Sequence, residues 1–399
     1  MEEYEKRLTE EEAEPFREQI KSFLADVAPG SKGSKTVGGM PNFFVGCLCD
    51  RITGFFKMVY NFARHKALWQ TQKVFKPLID KDMAHPDGTP KKFHELGRDA
   101  DGNLKISLAC TTTDLGRACS LVFTNEILPE EQRHFVESEH RKVLNRDDEV
   151  SAALPIMASC AIPFAFTPVL FPEGAERDMQ TSLCDGGAVS NLSAQLLRQV
   201  YYNEDDTKVD RRRLPVRFAL SCNEFEHRRE VAYDYDERPP VQVRTHYDLA
   251  MQTASSVIGD GMADDVDIFV ANGGRHEHIF VTRLKEIENL PSPDAPFMKK
   301  TPSQINFFAL NRKTTRQMFE FGRYVVEEKL IKNMDKKEFK RAQRNGVTLA
   351  LSGGGSLFPV LFGAVVAMNE YFEIHAMAGT SAGALTASYM AEMIARRDD

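Results

Sequence analysis

The chain has 399 residues, of which 42% are hydrophobic, enough for one large core or two smaller ones. Charged residues make up 27% and the formal net charge is −7, so the composition does not favour a nucleic-acid partner. The seven cysteines are odd in number and form no CxxC pair, which indicates reduced thiols in a cytoplasmic protein. The acidic N-terminus lacks the apolar run of a secretory signal.

Residues 1–104 are predicted to be mainly helical. Residues 1–28 have helical spacing with mixed charge, and residues 42–80 carry many aromatic side chains at spacings that give a broad apolar helix face. Core packing alone explains such a face; the alternative is an acyl-chain pocket or a surface that touches a membrane. We therefore predict that residues 1–104 form a helical region that is a cap or lipid-facing part of the domain.

Strands and helices alternate through residues 105–331. Strands are predicted at 105–113, 118–123, 214–221 and 279–281, and a further strand ends at Asp185 before a tight turn. Helices are predicted at 151–170, 245–262 and 311–331, with the last clearly amphipathic. This alternation predicts an α/β fold with a mostly parallel central sheet flanked by helices. The basic, polar stretch 332–346 has the composition of a linker.

The final region, residues 347–399, carries the strongest pattern. A strand at 347–352 leads into a triple glycine, an apolar helix at 357–369 and a second strand at 374–378. Residues 346–369 are uncharged and long enough for a transmembrane helix, but the triple glycine and Pro359 would break a helix in lipid. The pattern therefore predicts a buried strand, a turn and a buried helix. The three glycines are Gly353, Gly354 and Gly355.

The second strand of this region runs into a G-x-S-x-G motif, Gly379 to Gly383, which is followed by a helix of small residues. A strand, a sharp turn and a helix are the context of a nucleophile elbow, which predicts Ser381 as a nucleophile. The triple glycine offers backbone N–H groups that could bind the oxyanion of a tetrahedral intermediate. A dinucleotide-binding loop is the alternative, but its G-x-G-x-x-G spacing is absent here.

The base for this nucleophile is expected upstream of it. An ordinary α/β-hydrolase places its acid and its histidine after the serine. Residues 382–399 contain no histidine, so that order does not fit. An aspartate followed by two glycines, Asp185, Gly186 and Gly187, is one upstream candidate, and an Asx-type turn after a strand is the simpler explanation of the same three residues.

Taken together, these motifs resemble those of patatin-like phospholipases, which use a Ser–Asp dyad without histidine. The glycine loop, the G-x-S-x-G motif and the D-G-G turn match, and residues 110–116, 158–163, Asn191 and 322–324 resemble the segments around them. The resemblance implies a three-layer patatin-like fold with Ser381 as nucleophile and Asp185 as base. It also implies Gly186 and Gly187 as a supporting turn, and no metal or cofactor.

The order of the motifs departs from the family, because patatin chains run from the glycine loop through the serine to the aspartate. The resemblance therefore implies a circular permutation with its joint at residues 332–346; a dyad formed between two chains is the alternative. The family's arginine after the glycines is replaced by Leu357, and the next glycine by Phe358. A positive charge expected near the site is thus missing.

The resemblance implies a lipid acyl hydrolase of the phospholipase A type that acts through an acyl-enzyme. A phospholipid or another lipid ester would be the substrate, and the cytoplasmic protein would contact membrane surfaces transiently. A glyceride lipase or transacylase on the same dyad, or a catalytically silent lipid-binding protein, are the alternatives. For Asp185 to act as a base, its pKa should be raised by a partly apolar setting beside Leu183 and Cys184.

Overall fold

A computed structural model describes residues 4–27, 70–126, 141–144, 150–163, 165–176, 180–190, 192–193, 214–221, 279–281 and 312–397. Within these ranges, no helix is both long enough and apolar enough to cross a membrane. The aromatic stretch 42–69, the helix predicted at 245–262 and Asn191 lie outside the described residues.

The described strands form one mixed, mostly parallel sheet with the order β3-β2-β1-β9-β8-β6-β7. Neighbours from β1 through β9, β8 and β6 to β7 run parallel, whereas β2 and β5 pair antiparallel with β1, and β4 pairs with β5. With helices packed against this sheet, the α/β expectation is confirmed. The strands are β1 (Ser107–Asp114), β2 (Cys119–Thr124), β3 (Arg141–Leu144), β4 (Val169–Phe171), β5 (Thr181–Asp185), β6 (Val216–Ser221), β7 (Ile279–Val281), β8 (Val347–Leu351) and β9 (Ile374–Thr380).

The described helices share one hydrophobic core with the sheet. They are α1 (Glu10–Val27), α2 (Thr71–Asp82), α3 (Ala153–Ser159), α4 (Arg312–Val325, continued by a π-helical stretch Val326–Ile331), α5 (Lys336–Asn345), α6 (Phe358–Tyr371) and α7 (Ala382–Arg397). Every residue of α6 is buried, which fits a helix that is apolar on all sides. The uncharged stretch 346–369 is therefore a buried strand, turn and helix, as predicted.

Helix α1 packs into the main core, although it belongs to the region predicted as a cap. Its apolar stripe of Phe16, Ile20 and Leu24 is buried in the common core. Arg17 points from the same helix to Glu370 on α6, with Nε 2.7 Å from Oε1, and both side chains are buried. The described N-terminal residues are thus anchored to the sheet-bearing part of the protein by apolar and charged contacts.

Two predicted segments differ from the structure. The helix predicted within 151–170, with its end at residues 161–163, is α3; it ends at Ser159, and the chain then turns into β4. The stretch 332–346, predicted as a linker, contains the ordered helix α5, whose N-cap Asp335 accepts a bond from the Lys337 amide at 2.6 Å. Buried Phe339 and Ala342 lie three residues apart on one face of this otherwise charged helix.

Candidate active site

Strand β1 brings together two chain segments that are distant in sequence. Along β1, Thr111 lies opposite Thr380 at the end of parallel strand β9. The next residue, Thr112, lies opposite Asp185 at the end of antiparallel strand β5. Successive residues of a strand are about 3.3 Å apart along its axis. The carboxyl ends of β9 and β5 therefore meet at one point of β1, which places Ser381, the residue after Thr380, beside Asp185.

Ser381 occupies the sharp turn between β9 and α7 and has a φ of +54°, in the left-handed region. The turn is so tight that only glycine fits on either side. A Cβ at Gly379 would collide with the carbonyl oxygen of Gly383, and a Cβ at Gly383 would collide with that of Leu351. This is the geometry of the predicted nucleophile elbow.

Ser381 and Asp185 form a direct hydrogen bond within one chain. The Ser381 hydroxyl donates to Oδ2 of Asp185 at 2.6 Å, and Oδ1 of the same carboxylate accepts from the Gly187 amide at 2.8 Å. Gly186 lies so close to the Thr111 carbonyl that a side chain there would collide with it. The D-G-G turn thus fixes the carboxylate toward the serine, and the pair does not require a second chain.

The carboxylate of Asp185 is buried among apolar neighbours. Asp185 and Ser381 are each 6% exposed, and Leu183 and Cys184 beside them are buried. Burial raises the pKa of Asp185 from 3.8 to about 6, while the hydrogen bonds from Ser381 and Gly187 hold it down. The shift has the direction expected from the sequence. At neutral pH the group is still mostly ionised, so it can accept a proton from the serine.

The glycine loop begins directly beside the elbow. Leu351 at the end of β8 lies opposite Gly379 of β9, and the short 3-10 turn Gly355–Leu357 contacts α7. Gly355 has a φ of +51°, which suits glycine. No described residue accepts a hydrogen bond from the amides of Gly354 or Gly355. These two amides are therefore the best candidates in the loop for holding an oxyanion.

The two residues that depart from the family pattern belong to the core. Leu357 and Phe358 are buried, and the Phe358 ring packs edge-on against Phe362 at a centroid distance of 6.3 Å. At this position the loop passes into the apolar helix α6 rather than presenting a charge. The backbone amides of Gly354 and Gly355 are then the groups of the loop, among its described atoms, that can stabilise negative charge.

A chain of hydrogen-bonded hydroxyl groups supports the elbow, and the sequence analysis did not predict it. The Ser193 hydroxyl lies 2.6 Å from both Thr111 Oγ1 and Thr380 Oγ1, and the Thr380 hydroxyl donates to the Ser190 carbonyl at 3.2 Å. These contacts tie the residues after the D-G-G turn to the ends of β1 and β9. Polar residues at strand ends were the one available signal, and they are too common to single out.

No family model, curated protein or solved structure matches this chain. The chemistry of the site must therefore be argued from its residues. A serine hydroxyl that donates to a buried carboxylate of raised pKa is an activated nucleophile, and the neighbouring backbone amides can stabilise developing negative charge. Such an arrangement is suited to acyl transfer.

Proposed function

We propose that this protein is a serine hydrolase that cleaves fatty-acyl esters of lipids, in the manner of a phospholipase A. The observation that carries the proposal is the 2.6 Å hydrogen bond from Ser381 to Asp185, made by a serine at a left-handed strand-to-helix turn. The raised pKa of Asp185 supports its role as the base.

The mechanism has two steps. Asp185 accepts the hydroxyl proton as Ser381 Oγ attacks the ester carbonyl, and the amides of Gly354 and Gly355 hold the oxyanion. The intermediate collapses, the C–O bond to the alcohol breaks, and the proton passes from Asp185 to the leaving alkoxide. Water then attacks the acyl-enzyme with Asp185 as base again, which releases the fatty acid and restores the serine. The reaction requires no metal or cofactor.

The lipid substrate is proposed from the motifs. The glycine loop, the elbow and the D-G-G turn, which meet in one site here, resemble the motifs of patatin-like phospholipases. In the same proposal the fold is patatin-like with its parts in permuted order, and α5 connects the usual last helix, α4, to the usual first strand, β8. Phospholipid or another lipid ester is then the substrate, and a membrane surface is its source.

A catalytically silent lipid-binding protein is the second candidate. It is favoured by Leu357 and Phe358, which stand buried in the core where the family has an arginine and a glycine. A glyceride lipase or transacylase would use the same dyad. Hydrolysis products from phosphatidylcholine vesicles and from emulsified triacylglycerol, analysed with and without an acyl acceptor, distinguish these activities from phospholipase A.

A fluorophosphonate probe tests the nucleophile directly. We expect the wild-type protein to be labelled at Ser381, Ser381→Ala to remain unlabelled, and Asp185→Asn to lose about 10³-fold or more in ester hydrolysis. Ser388→Ala is the matched control, because Ser388 is a buried serine of the same helix α7 and has no hydrogen-bond partner in the part of the chain that the structure describes. Its labelling should equal that of the wild type.

Two results would contradict the proposed dyad. One is retained hydrolysis in folded Ser381→Ala or Asp185→Asn. The other is a folded wild-type protein that is not labelled at all, which would favour the silent lipid-binding protein. Circular dichroism of each variant separates a lost fold from a lost nucleophile.

A further inference from the structure

We propose that three consecutive residues, Ser159, Cys160 and Ala161, form a positioning segment. By hydrogen bonds to the main chain of Ser381 and Asp185, the segment keeps the two side chains at the distance they need to react. The inference rests on the proposed function, since it assigns residues that place Ser381 and Asp185. All the bonds that the three make to the dyad residues are to main-chain atoms, so they are positioning residues and not catalytic ones.

Ser159 holds the amide of the nucleophile. The Ser381 N–H donates to Ser159 Oγ at 2.7 Å, and the same hydroxyl donates to the Thr111 carbonyl at 2.7 Å. Because its one hydrogen is directed at Thr111, the Ser159 oxygen presents a lone pair to the Ser381 amide. Thr111 is the β1 residue opposite Thr380, so Ser159 connects the elbow to the strand that pairs with β9 just before it.

The next two residues complete the contact. The Cys160 thiol donates to the Ser381 carbonyl at 3.3 Å, and the Ala161 carbonyl accepts from the Asp185 amide at 3.0 Å. The segment therefore binds the N–H and C=O of the nucleophile and the N–H of the base. It continues from α3, all of whose residues are buried and which contacts β1, β5 and α7. The support for the dyad is thus part of the core.

Such support is needed because the strands fix only the ends of β9 and β5. A left-handed conformation at a residue other than glycine is strained, and the Ser159 hydroxyl is the group that holds the Ser381 amide in it. Without the Ser159 hydroxyl, the Ser381 amide loses its partner among the described residues and is left buried. Rotation of the elbow would then lengthen the bond from Ser381 to Asp185.

The first test compares Ser159→Ala with Ser388→Ala. Both replace a fully buried serine by alanine, but only Ser159 contacts the elbow. We expect Ser159→Ala to lower kcat for a short-chain ester about 10- to 100-fold with little change in KM, as for a misplaced catalytic group. Ser388→Ala should keep the wild-type kcat. A Ser159→Ala protein with lowered stability but wild-type kcat would overturn the proposal.

The second readout does not need activity. The hydrogen bond from Ser381 holds the pKa of Asp185 down, so a weaker bond should move that pKa above its value of about 6. Burial raises the pKa of Cys110 and Cys184 to about 12 and that of Cys160 well above its ordinary value, so these neighbouring thiols stay neutral between pH 5 and 8. Burial also raises the pKa of Glu126, to about 7, so the titration of Asp185 is taken as the difference from Asp185→Asn.

The pKa of Asp185 is measured from the pH dependence of the unfolding free energy, with Asp185→Asn as reference in the wild-type and Ser159→Ala backgrounds. We expect the difference in unfolding free energy between the proteins with and without Asp185→Asn to level off at higher pH in the Ser159→Ala background. An unmoved titration overturns the positioning role even if the protein has no hydrolase activity. Failure of the probe to label the wild-type protein, by contrast, contradicts the proposed function alone.

Discussion

Replacement of Asp185 by asparagine should inactivate the protein and at the same time stabilise it. The two side chains have nearly the same shape. The asparagine Oδ1 can still accept from the Gly187 amide, and its Nδ2 can donate to Ser381 Oγ, which reverses the direction of the second bond. The substitution therefore removes a buried negative charge without emptying the site, although the hydrogen of the Ser381 hydroxyl loses its acceptor.

The magnitude follows from the two pKa values of Asp185. Its pKa is about 6 when folded and 3.8 ordinarily, so the unfolded chain ionises more readily. The contribution of this group to stability is complete below pH 3.8 and is lost as the pH rises through 6. Relative to a group that does not ionise, Asp185 then lowers the unfolding free energy by about 2 kcal/mol at pH 5 and about 3 kcal/mol at pH 8. Asparagine does not ionise and carries no such cost.

Urea unfolding of the wild type and Asp185→Asn at pH 5, 6, 7 and 8 measures this difference. We expect Asp185→Asn to have the higher unfolding free energy at pH 8, with an advantage that grows by about 1 kcal/mol between pH 5 and pH 8. Ser388→Ala serves as the control, because its difference from the wild type should not change with pH.

A flat difference between pH 5 and pH 8 would refute this reasoning, because it would mean that Asp185 titrates alike in the folded and unfolded chain. A lower stability of Asp185→Asn at pH 8 would do so as well. The expected result would show that the site keeps an ionised base at a cost in stability, a trade-off common at active sites.

Three further predictions concern the site and its anchorage. Because Asp185 must be ionised to accept a proton, kcat/KM should be level above pH 6 and fall about tenfold per pH unit below it; a pH–rate profile without this inflection would contradict its role as base. Gly383→Ala should abolish probe labelling, since its Cβ would collide with the Leu351 carbonyl; labelling at the wild-type rate would show that the elbow can open. Glu370→Gln should lower the unfolding free energy by about 3–5 kcal/mol, because buried Arg17 loses its bidentate partner; a change under 1 kcal/mol in urea unfolding would show that the pair contributes little.

Much of the described fold was predictable where the hydrophobic pattern agrees with glycine or proline at the ends of the elements. Residues 347–397 are the clearest case: two short apolar runs, each followed by glycine, became β8 and β9, and the segments after them became α6 and α7. Each run is bounded by residues that end a strand for a steric reason. The α/β class followed from the same alternation of strands and helices.

Some features were beyond the sequence because tertiary contacts decide them. Helix α5 is so rich in lysine and arginine that its buried pair, Phe339 and Ala342, was overlooked, and the segment was predicted to be a linker. Beyond Pro163, residues 169–171 form β4, and a short apolar run of that kind fits a helix or a strand equally well. Composition alone does not separate these outcomes.

The candidate site was predictable in its two side chains but not in its support. Ser381 and Asp185 stand in short motifs with glycines that the backbone requires. The bonds made by Ser159, Cys160 and Ser193 join positions from distant parts of the chain, and nothing local in the sequence indicates them. Residues 158–163 resemble a segment of the family, but the resemblance did not predict their hydrogen bonds to Ser381 and Asp185.

The position of β8 and β9 in the sheet has a consequence for the order of folding. These strands lie between β1 and β6, yet they follow both along the chain. During synthesis, the edges of β1 and β6 that pair with β9 and β8 therefore lack these partners until residues 347–380 have left the ribosome. Pairing over such sequence separations is slow. We expect the nascent chain to depend on chaperones that shield strand edges until then, and the dyad to form as one of the last events of folding.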